Sequence, residues 1–200
     1  FKLNFSAKTL GPKIFYKDKF LEIENIKTNI SLKSLLKDEF SIESLNISTK
    51  SIKIEELISF SRSFYQKPEL IILEKILKIK GYLIGDINIR FDSEGNLKDD
   101  FIIKGFVKDT NLTLFKNYDL KKLNFVFNFN KDNFVFEDLR LAIDKLNFFS
   151  KKIIVKKLNG NFFVEGNFEN KNVILDEKNI IYFTKIFDPK FDLKKINFSS

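Results

Sequence analysis

Pairs of carboxylates are the side chains of this chain that could most readily do acid–base or metal chemistry. They occur at Glu55-Glu56, Asp99-Asp100 and Glu137-Asp138. Neighbouring residues of a strand point to opposite faces, so the last two pairs are poorly placed to act together. The first pair stands where a helix would begin, and there it complements the helix dipole. We therefore interpret all three pairs as structural.

The residue types that the chain lacks exclude further chemistry. It contains no His and no Cys, which excludes a Ser-His-Asp triad, a thiolate nucleophile, disulfides and a zinc site built from imidazole or thiolate. An enzyme using carboxylates alone would need buried acids that converge in one cleft. The sequence therefore predicts a protein that is not an enzyme, with no catalytic residues, no metal site and no cofactor.

Two glycines four residues apart could suggest a phosphate-binding loop. The segment Gly81-Tyr82-Leu83-Ile84-Gly85 lacks the Lys-Ser/Thr pair of such a loop and precedes strand-like alternation instead of a helix. A bend within a strand is the better interpretation.

The net charge of +8 and the pI near 9.4 raise the possibility of nucleic-acid binding. However, the basic residues are spread along nearly every predicted strand and alternate with Glu and Asp. Nucleic-acid recognition favours basic residues clustered on one surface, with exposed aromatic residues beside them. We therefore predict no nucleic-acid partner.

The elements that would position any site are mainly strands, because apolar and polar residues alternate through most of the chain. After a one-residue shift at Glu137-Asp138, which indicates a β-bulge, the alternation resumes. Strands of about ten residues form an antiparallel meander. The short polar turns that separate them are predicted near residues 93–96, 117, 130, 144, 159–160 and 169–170. One face of the meander collects Phe125, Phe127, Phe129, Phe134, Phe136, Leu139 and Leu141.

One interval within this pattern has helical spacing. Apolar residues recur from Leu57 to Phe64 and again from Leu70 to Leu77, on either side of Pro68, which predicts two short amphipathic helices. Another helix is predicted from Asn179 to Phe187. The resulting division of a single continuous domain is an N-terminal β segment with shorter strands, a helical insertion, a β-meander and a C-terminal helix or tail, at residues 1–54, 55–78, 79–176 and 177–200.

The strands after Gly81 lack crossover helices, which argues against a parallel sheet. A closed barrel, a sandwich and a long open sheet all fit the alternation. The phenylalanine side chains would overfill a narrow eight-stranded barrel. We therefore expect a mainly β protein, in which an elongated antiparallel meander forms an open, twisted groove with a short two-helix insertion.

The apolar face has two explanations, a hydrophobic core and a groove that binds lipid. Leaving a sixteen-carbon acyl chain in water costs on the order of 13 kcal/mol, at about 0.8 kcal/mol per CH₂. Only a long apolar surface can offset that cost, and the seven residues above would face the acyl chains. The alternative is a β-rich structural or adhesion module, at the surface or in the periplasm, with an ordinary packed core.

The region from Leu21 to Ile54 resembles the AsmA-like superfamily of bacterial envelope proteins. Alternating residues 21–32 precede the turn Ser34-Leu35-Leu36, and the strand-like residues 40–47 follow it. The resemblance implies a non-enzymatic β-groove that binds phospholipid acyl chains and contributes to phospholipid transport between the inner and outer membranes, or to outer-membrane maintenance. It also implies a periplasmic location in a Gram-negative envelope, and it identifies no particular envelope protein as a partner.

Membrane attachment would then depend on a segment outside this chain. The apolar runs here reach four residues, against the roughly 20 that a transmembrane helix needs. The chain also begins with Phe1 instead of Met, so we expect a fragment or a processed product. The resemblance implies an inner-membrane anchor in an N-terminal helix that precedes Phe1.

Overall fold

The computed structural model describes residues 4–37, 39–64, 68–76, 78–114, 118–143, 146–158, 161–170 and 198–199. The helix predicted over 179–187 and the turns predicted at Asn117, Asp144 and Asn159-Gly160 lie outside these residues. The division into four segments stays a prediction.

The described residues form thirteen strands, most of them in long antiparallel pairs. Their bounds are β1 (Asn4–Leu10), β2 (Lys13–Tyr16), β3 (Lys19–Ser31), β4 (Ile42–Thr49), β5 (Ile52–Lys53), β6 (Lys80–Arg90), β7 (Ile102–Leu114), β8 (Tyr118–Phe129), β9 (Asn133–Ile143), β10 (Leu146–Leu158), β11 (Asn161–Gly166), β12 (Phe168–Glu169) and β13 (Phe198–Ser199).

The strands form one open sheet in the order β1-β3-β4-β6-β7-β8-β9-β10-β12-β13, with β2, β5 and β11 paired to β3, β6 and β10. Every pairing is antiparallel except that of β12 with β13. The expected fold class, a mainly β, open antiparallel meander with a helical insertion, is therefore confirmed. The N-terminal segment differs in one respect. We expected short strands there, but β3 is 13 residues long.

Asparagine and aspartate side chains make two of the predicted turns. Asp92 Oδ1 accepts hydrogen bonds from the backbone N–H groups of Glu94 and Asn96, both at 2.9 Å. Asn130 Oδ1 accepts from the N–H groups of Asp132 and Asn133, at 3.2 and 2.9 Å. Such side-chain bonds replace the backbone bonds that the strands lose where the chain reverses.

A row of β-bulges crosses the middle of the sheet. Asp109 in β7, Lys122 in β8 and Asp138 in β9 have left-handed φ angles of 50°, 53° and 50°, and the strand registers shift beside them. Asn124 Oδ1 accepts from Asp109 N at 2.9 Å, and Asn111 Oδ1 accepts from Lys122 N at 3.2 Å. The bulge predicted at Glu137-Asp138 is thus confirmed, and these bulges re-aim side chains along each strand.

The helical insertion lies where its apolar spacing predicts. It contains α2 (Ile54–Phe64) and α3 (Pro68–Ile71), which continues into a π-helical turn over Ile72–Ile76, and a short helix α1 (Leu32–Leu35) precedes it along the chain. Glu55 and Glu56 occupy the first turn of α2, where carboxylates stabilise a helix.

Helix α2 covers one end of the sheet. Its Ile58 and Phe60 are buried, and the helix contacts β2, β3, β5 and β6. Lys19 Nζ on β3 donates to the backbone carbonyl and the hydroxyl of Ser59, at 3.0 and 2.6 Å. An ion pair between Arg62 and Glu74 joins α2 to the π-helical turn.

Away from α2, the sheet is a single layer over the described residues. Among the described residues the fully buried side chains are the small polar Thr110 and Ser150, and none of the described phenylalanines reaches that burial. In a two-layer domain the large apolar side chains are the most deeply buried. Much of the apolar face is therefore shielded by its own side chains and not by a second layer.

Candidate functional site: the apolar face of the sheet

Strand register gathers the predicted apolar residues on one face. Phe127 lies opposite Phe136, and Phe129 lies opposite Phe134, in the β8–β9 pair. Directly opposed residues of antiparallel strands project to the same side. This side, the inner face, is also the side on which α2 lies at the other end of the sheet.

The bulge at Asp138 keeps Leu139 and Leu141 on the inner face. Val126 and Asn124 both project to the outer face, and they pair with Glu137 and Arg140. Between these two pairs β9 has two residues where β8 has one. The extra residue, in the bulge at Asp138, shifts the alternation of β9 by one position, so Leu139 and Leu141 project to the same side as Phe136. All seven predicted residues therefore share one face.

The phenylalanine rings of this face contact one another. Phe129 is the centre of the cluster, with its ring centroid 4.9 Å from that of Phe127, 5.4 Å from that of Phe134 and 5.3 Å from that of Phe136. Phe125 lies 5.5 Å from Phe136 in an edge-to-face arrangement. Such pairs add roughly 0.5–1.5 kcal/mol beyond the area they bury. We call these five residues the phenylalanine cluster.

Two glycines, which we call the glycine pair, lie beneath Phe127. Gly85 of β6 and Gly105 of β7 are directly opposite each other, and Gly105 is opposite Phe127 of β8. A Cβ atom on Gly105 would lie 2.7 Å from the Phe127 ring and 2.1 Å from the carbonyl oxygen of Ile84. The end of the Phe127 ring therefore lies over a part of the sheet that has no side chains.

Burial divides the seven predicted residues into two groups. Phe127 is 4% exposed and Leu139 is 9% exposed, so both belong to the floor of the face. The other members are half-buried and form its surface, namely Phe125, Phe129, Phe134, Phe136 and Leu141. A ligand on this face would touch the second group.

The inner face extends further than the sequence prediction. Ile153 and Val155 of β10 lie opposite Phe136 and Phe134, and Ile103 of β7 lies opposite Phe129. The alternation of these residues is visible in the sequence, but their position beside the phenylalanines depends on register. Pairing of distant strands was therefore the missing information.

The buried polar side chains of the inner face are hydrogen-bonded. Thr49 Oγ1 on β4 accepts from the backbone N–H of Gly85 on β6 at 2.8 Å, and the two most deeply buried ones bond within their own strands. Thr110 Oγ1 donates to the carbonyl oxygen of Lys108, and Ser150 Oγ donates to that of Lys152, both at 3.3 Å. Their hydroxyl groups are thus already satisfied. This leaves the face with dispersion and apolar burial as its means of binding.

The carboxylate pairs do not form a joint site. Asp99 pairs with Lys131, and Asp100 pairs with Arg90 at 3.1 Å, while Glu137 pairs with Lys152 at 3.3 Å. Among the described residues no group of three or more acids is placed to hold a metal ion. The predicted interpretation of the Gly81–Gly85 segment is also confirmed, because it lies inside β6.

Charges outside the inner face account for the shifted pKa values. The hydrogen bond and charge of Lys13 lower the pKa of Glu22. Backbone N–H groups, that of Asn96 first, lower the pKa of Asp92. Asp99 raises the pKa of Lys131. All three groups lie in turns or at strand edges outside the inner face, so they offer no proton-transfer group to the phenylalanine cluster.

A cavity of about 490 Å³ lies on the outer face, opposite the inner one. Its lining includes Lys122, Asn124, Arg140 and Phe149. Arg140 and Phe149 are directly opposite each other, and the guanidinium carbon lies 5.9 Å from the ring centroid. Asn124 and Arg140 share the outer face by register, so most of this lining lies on the side of the sheet opposite the phenylalanine cluster.

No protein-family model, curated protein or solved structure matches the chain. Within the part of the chain that the structure describes, no helix is both long enough and apolar enough to cross a bilayer.

Proposed function

We propose that the inner face binds the acyl chains of lipids. The observation that carries the proposal is a continuous apolar face on one side of an open single-layer sheet, with Phe125, Phe129, Phe134 and Phe136 half-buried at its surface. A bound acyl chain gains about 0.8 kcal/mol for each CH₂ that leaves water. A surface that spans several strands can supply this contact along the length of the chain.

The wider role that fits this binding is non-enzymatic transport of phospholipid in a bacterial envelope. The resemblance of residues 21–54 to the AsmA-like superfamily supports it, and so does the open antiparallel sheet. In this role the chain is one section of a periplasmic groove that carries phospholipid between the inner and outer membranes or maintains the outer membrane. A membrane anchor and protein partners would then belong to segments or chains other than this one.

Specific observations favour a second candidate, a β-rich structural or adhesion module. Phe127 and Leu139 are buried, and the rings of the phenylalanine cluster contact one another as they would in a packed core. In that case the face is stabilised by its own side chains and binds nothing.

Polar substitution on the two faces of one strand distinguishes the candidates. Phe134 lies on the inner face of β9, and its neighbour Val135, also half-buried, lies on the outer face. We expect the purified chain to bind a fluorescent fatty acid, and Phe134→Glu to weaken binding about tenfold or more because it places a charge beside the acyl chain. Val135→Glu is the matched control and should change binding by less than about twofold.

Native mass spectrometry after extraction from bacterial membranes gives an independent measurement. Phospholipid that copurifies with the wild-type chain and with Val135→Glu, but not with Phe134→Glu, supports the groove. A chain that carries no lipid and binds no fatty acid is a packed module, and the proposal is then wrong.

A further inference from the structure

The hairpin of β2 and the start of β3 exposes aromatic side chains at its tip. A two-residue loop, Lys17-Asp18, joins the strands, and Phe15 lies directly opposite Phe20. Phe15 is 69% exposed and Phe20 is 53% exposed, and their rings are 5.8 Å apart. We call residues 13–22 the aromatic hairpin.

Only one face of the aromatic hairpin is covered by the helical insertion. Strand alternation puts Ile14, Tyr16 and Lys19 on the face that meets α2, where Lys19 bonds to Ser59. The two phenylalanines project from the opposite side, which is the outer face of the sheet. Large apolar side chains that are more than half exposed to solvent and lie side by side are typical of an interaction surface.

Lysines accompany the exposed rings. On the outer side, Lys13 Nζ lies 5.1 Å from the centroid of Phe20. On the side that meets α2, Lys17 Nζ lies 5.5 Å from the centroid of Tyr16. Glu22 neutralises only part of this charge, because it is shared between Lys13 at 2.9 Å and Lys50 at 3.8 Å. The outer side of the hairpin is therefore both aromatic and cationic.

A second cationic feature lies farther along the same face. Lys8 of β1 and Lys27 of β3 are directly opposite each other, and no carboxylate among the described residues pairs with either of them. Like charges in this position destabilise a sheet. An anionic partner would remove that cost. Leu10, the outer-face residue that follows Lys8, is 73% exposed.

We propose that this end of the outer face docks on the surface of an anionic lipid bilayer. Aromatic rings favour the boundary between headgroups and acyl chains, and lysines extend from there to phosphate groups. From Phe20 to Lys27 the strand extends roughly 23 Å at 3.3 Å per residue. The apolar and cationic groups can therefore contact one membrane surface together, whether or not the inner face binds acyl chains.

A single tryptophan can report this contact. The chain contains no Trp, so Phe15→Trp introduces a unique fluorophore at the hairpin tip. With vesicles of phosphatidylglycerol and phosphatidylcholine in equal amounts, its emission should shift to the blue, and added salt should reverse the shift. The matched control is Phe106→Trp on the outer face of β7, which is exposed in the middle of the sheet, away from the hairpin, and should not shift.

Paired charge removals test the electrostatic part. Lys8→Gln with Lys27→Gln should weaken vesicle binding on the order of 30-fold, since each lysine near an anionic surface contributes about 1 kcal/mol. Lys104→Gln with Lys108→Gln removes the same net charge from the outer face of β7 and should change binding by less than about threefold. Circular dichroism establishes that each variant folds.

Several outcomes would overturn the proposal. Equal losses from the two lysine pairs would mean that net charge alone drives binding. Equal binding to vesicles of phosphatidylcholine alone would mean that anionic lipid plays no part. A blue shift that grows with protein concentration in the absence of vesicles would identify a second copy of the chain as the occupant. Vesicles should also protect the lysines of the wild type from amine-reactive labelling, and the double variant Phe15→Ser, Phe20→Ser should lose this protection. Protection that persists in the double variant would mean that the aromatic hairpin does not hold the chain on the bilayer.

Discussion

At the β3–β6 end of the sheet the inner face lies against a helix, whereas at the β8–β10 end it lies against its own phenylalanine rings. Ile23 and Ile52 of the first region are buried together with Ile58 of α2. In the second region the phenylalanine cluster takes the place of a covering element. The first region thus has the construction of an ordinary two-layer core, and the second is the part of the inner face that a ligand can reach.

This difference follows from side-chain size. Isoleucine and threonine side chains are too short to cover a sheet alone, so they need a second layer to leave water. Phenylalanine rings can lie across neighbouring strands, and the glycine pair, Gly85 and Gly105, gives Phe127 room to do so. The following substitutions distinguish burial beneath α2 from burial within the phenylalanine cluster. They begin with the largest expected effect.

Removing the buried ring of the phenylalanine cluster should cost the most. Phe127→Ala should lower the free energy of unfolding by about 3–5 kcal/mol, because it leaves a cavity above the two glycines. Phe162→Ala on β11, where the side chain is 62% exposed, is the control and should cost less than about 1 kcal/mol. Urea denaturation measures both. Similar losses for the two variants would contradict the assignment of Phe127 to the floor.

The helix-covered end can be weakened through α2. Ile58→Ala should cost about 2–4 kcal/mol, since Ile58 is buried between the helix and the sheet. It should also raise the binding of an apolar dye, because the isoleucines beneath the helix become accessible. Ile71→Ala on the exposed side of α3 should change neither quantity appreciably. A loss of stability without a rise in dye binding would mean that α2 does not shield the face.

The glycine pair allows the same substitution to be compared on two adjacent strands. Gly105→Ala should cost about 1–3 kcal/mol, because the new methyl group overlaps the Ile84 carbonyl oxygen and the Phe127 ring. Gly85→Ala places its methyl group 3.4 Å from the nearest atom, so its cost should stay below about 0.5 kcal/mol. Thermal melting compares the two, and the reverse order would show that the ring does not lie over Gly105.

The smallest effect concerns the pH dependence of the N-terminal end. Lys13 lowers the pKa of Glu22 in the folded chain, so this carboxylate stabilises the fold above its unfolded pKa. The contribution is lost as the pH falls through the lowered folded pKa. When the pH is lowered from about 7 to about 3, the melting temperature of Glu22→Gln should therefore fall less than that of the wild type. Glu24→Gln, the control, should follow the wild type.

Local patterning predicted much of this structure, since period-two alternation depends only on the residues of one strand. It identified the bulge at Asp138 and the helices around Pro68, because both interrupt the alternation in recognisable ways. It also placed all seven predicted residues on one face. Their separation into floor and surface was not predictable, since the burial of Phe127 depends on Gly105, which lies in another strand and 22 positions earlier in the chain.

The aromatic hairpin was missed for a different reason. Residues 13–22 alternate like an ordinary strand pair, and nothing in their order indicates which side a helix will cover. That choice depends on the packing of α2, whose Ser59 accepts from Lys19 some 40 positions earlier in the chain. Exposure at the tip is therefore a property of the tertiary fold.

The linear order of the sheet has a consequence for how the chain unfolds. The main contacts of each strand are with the strands that flank it, so stability is close to a sum of nearest-neighbour terms, as in repeat proteins. Hydrogen exchange should then be graded, fastest at the outermost strands and slowest near β7 and β8, where the contacts are densest. By the same logic, strands added at an edge would lengthen the sheet without disturbing the pairs already formed.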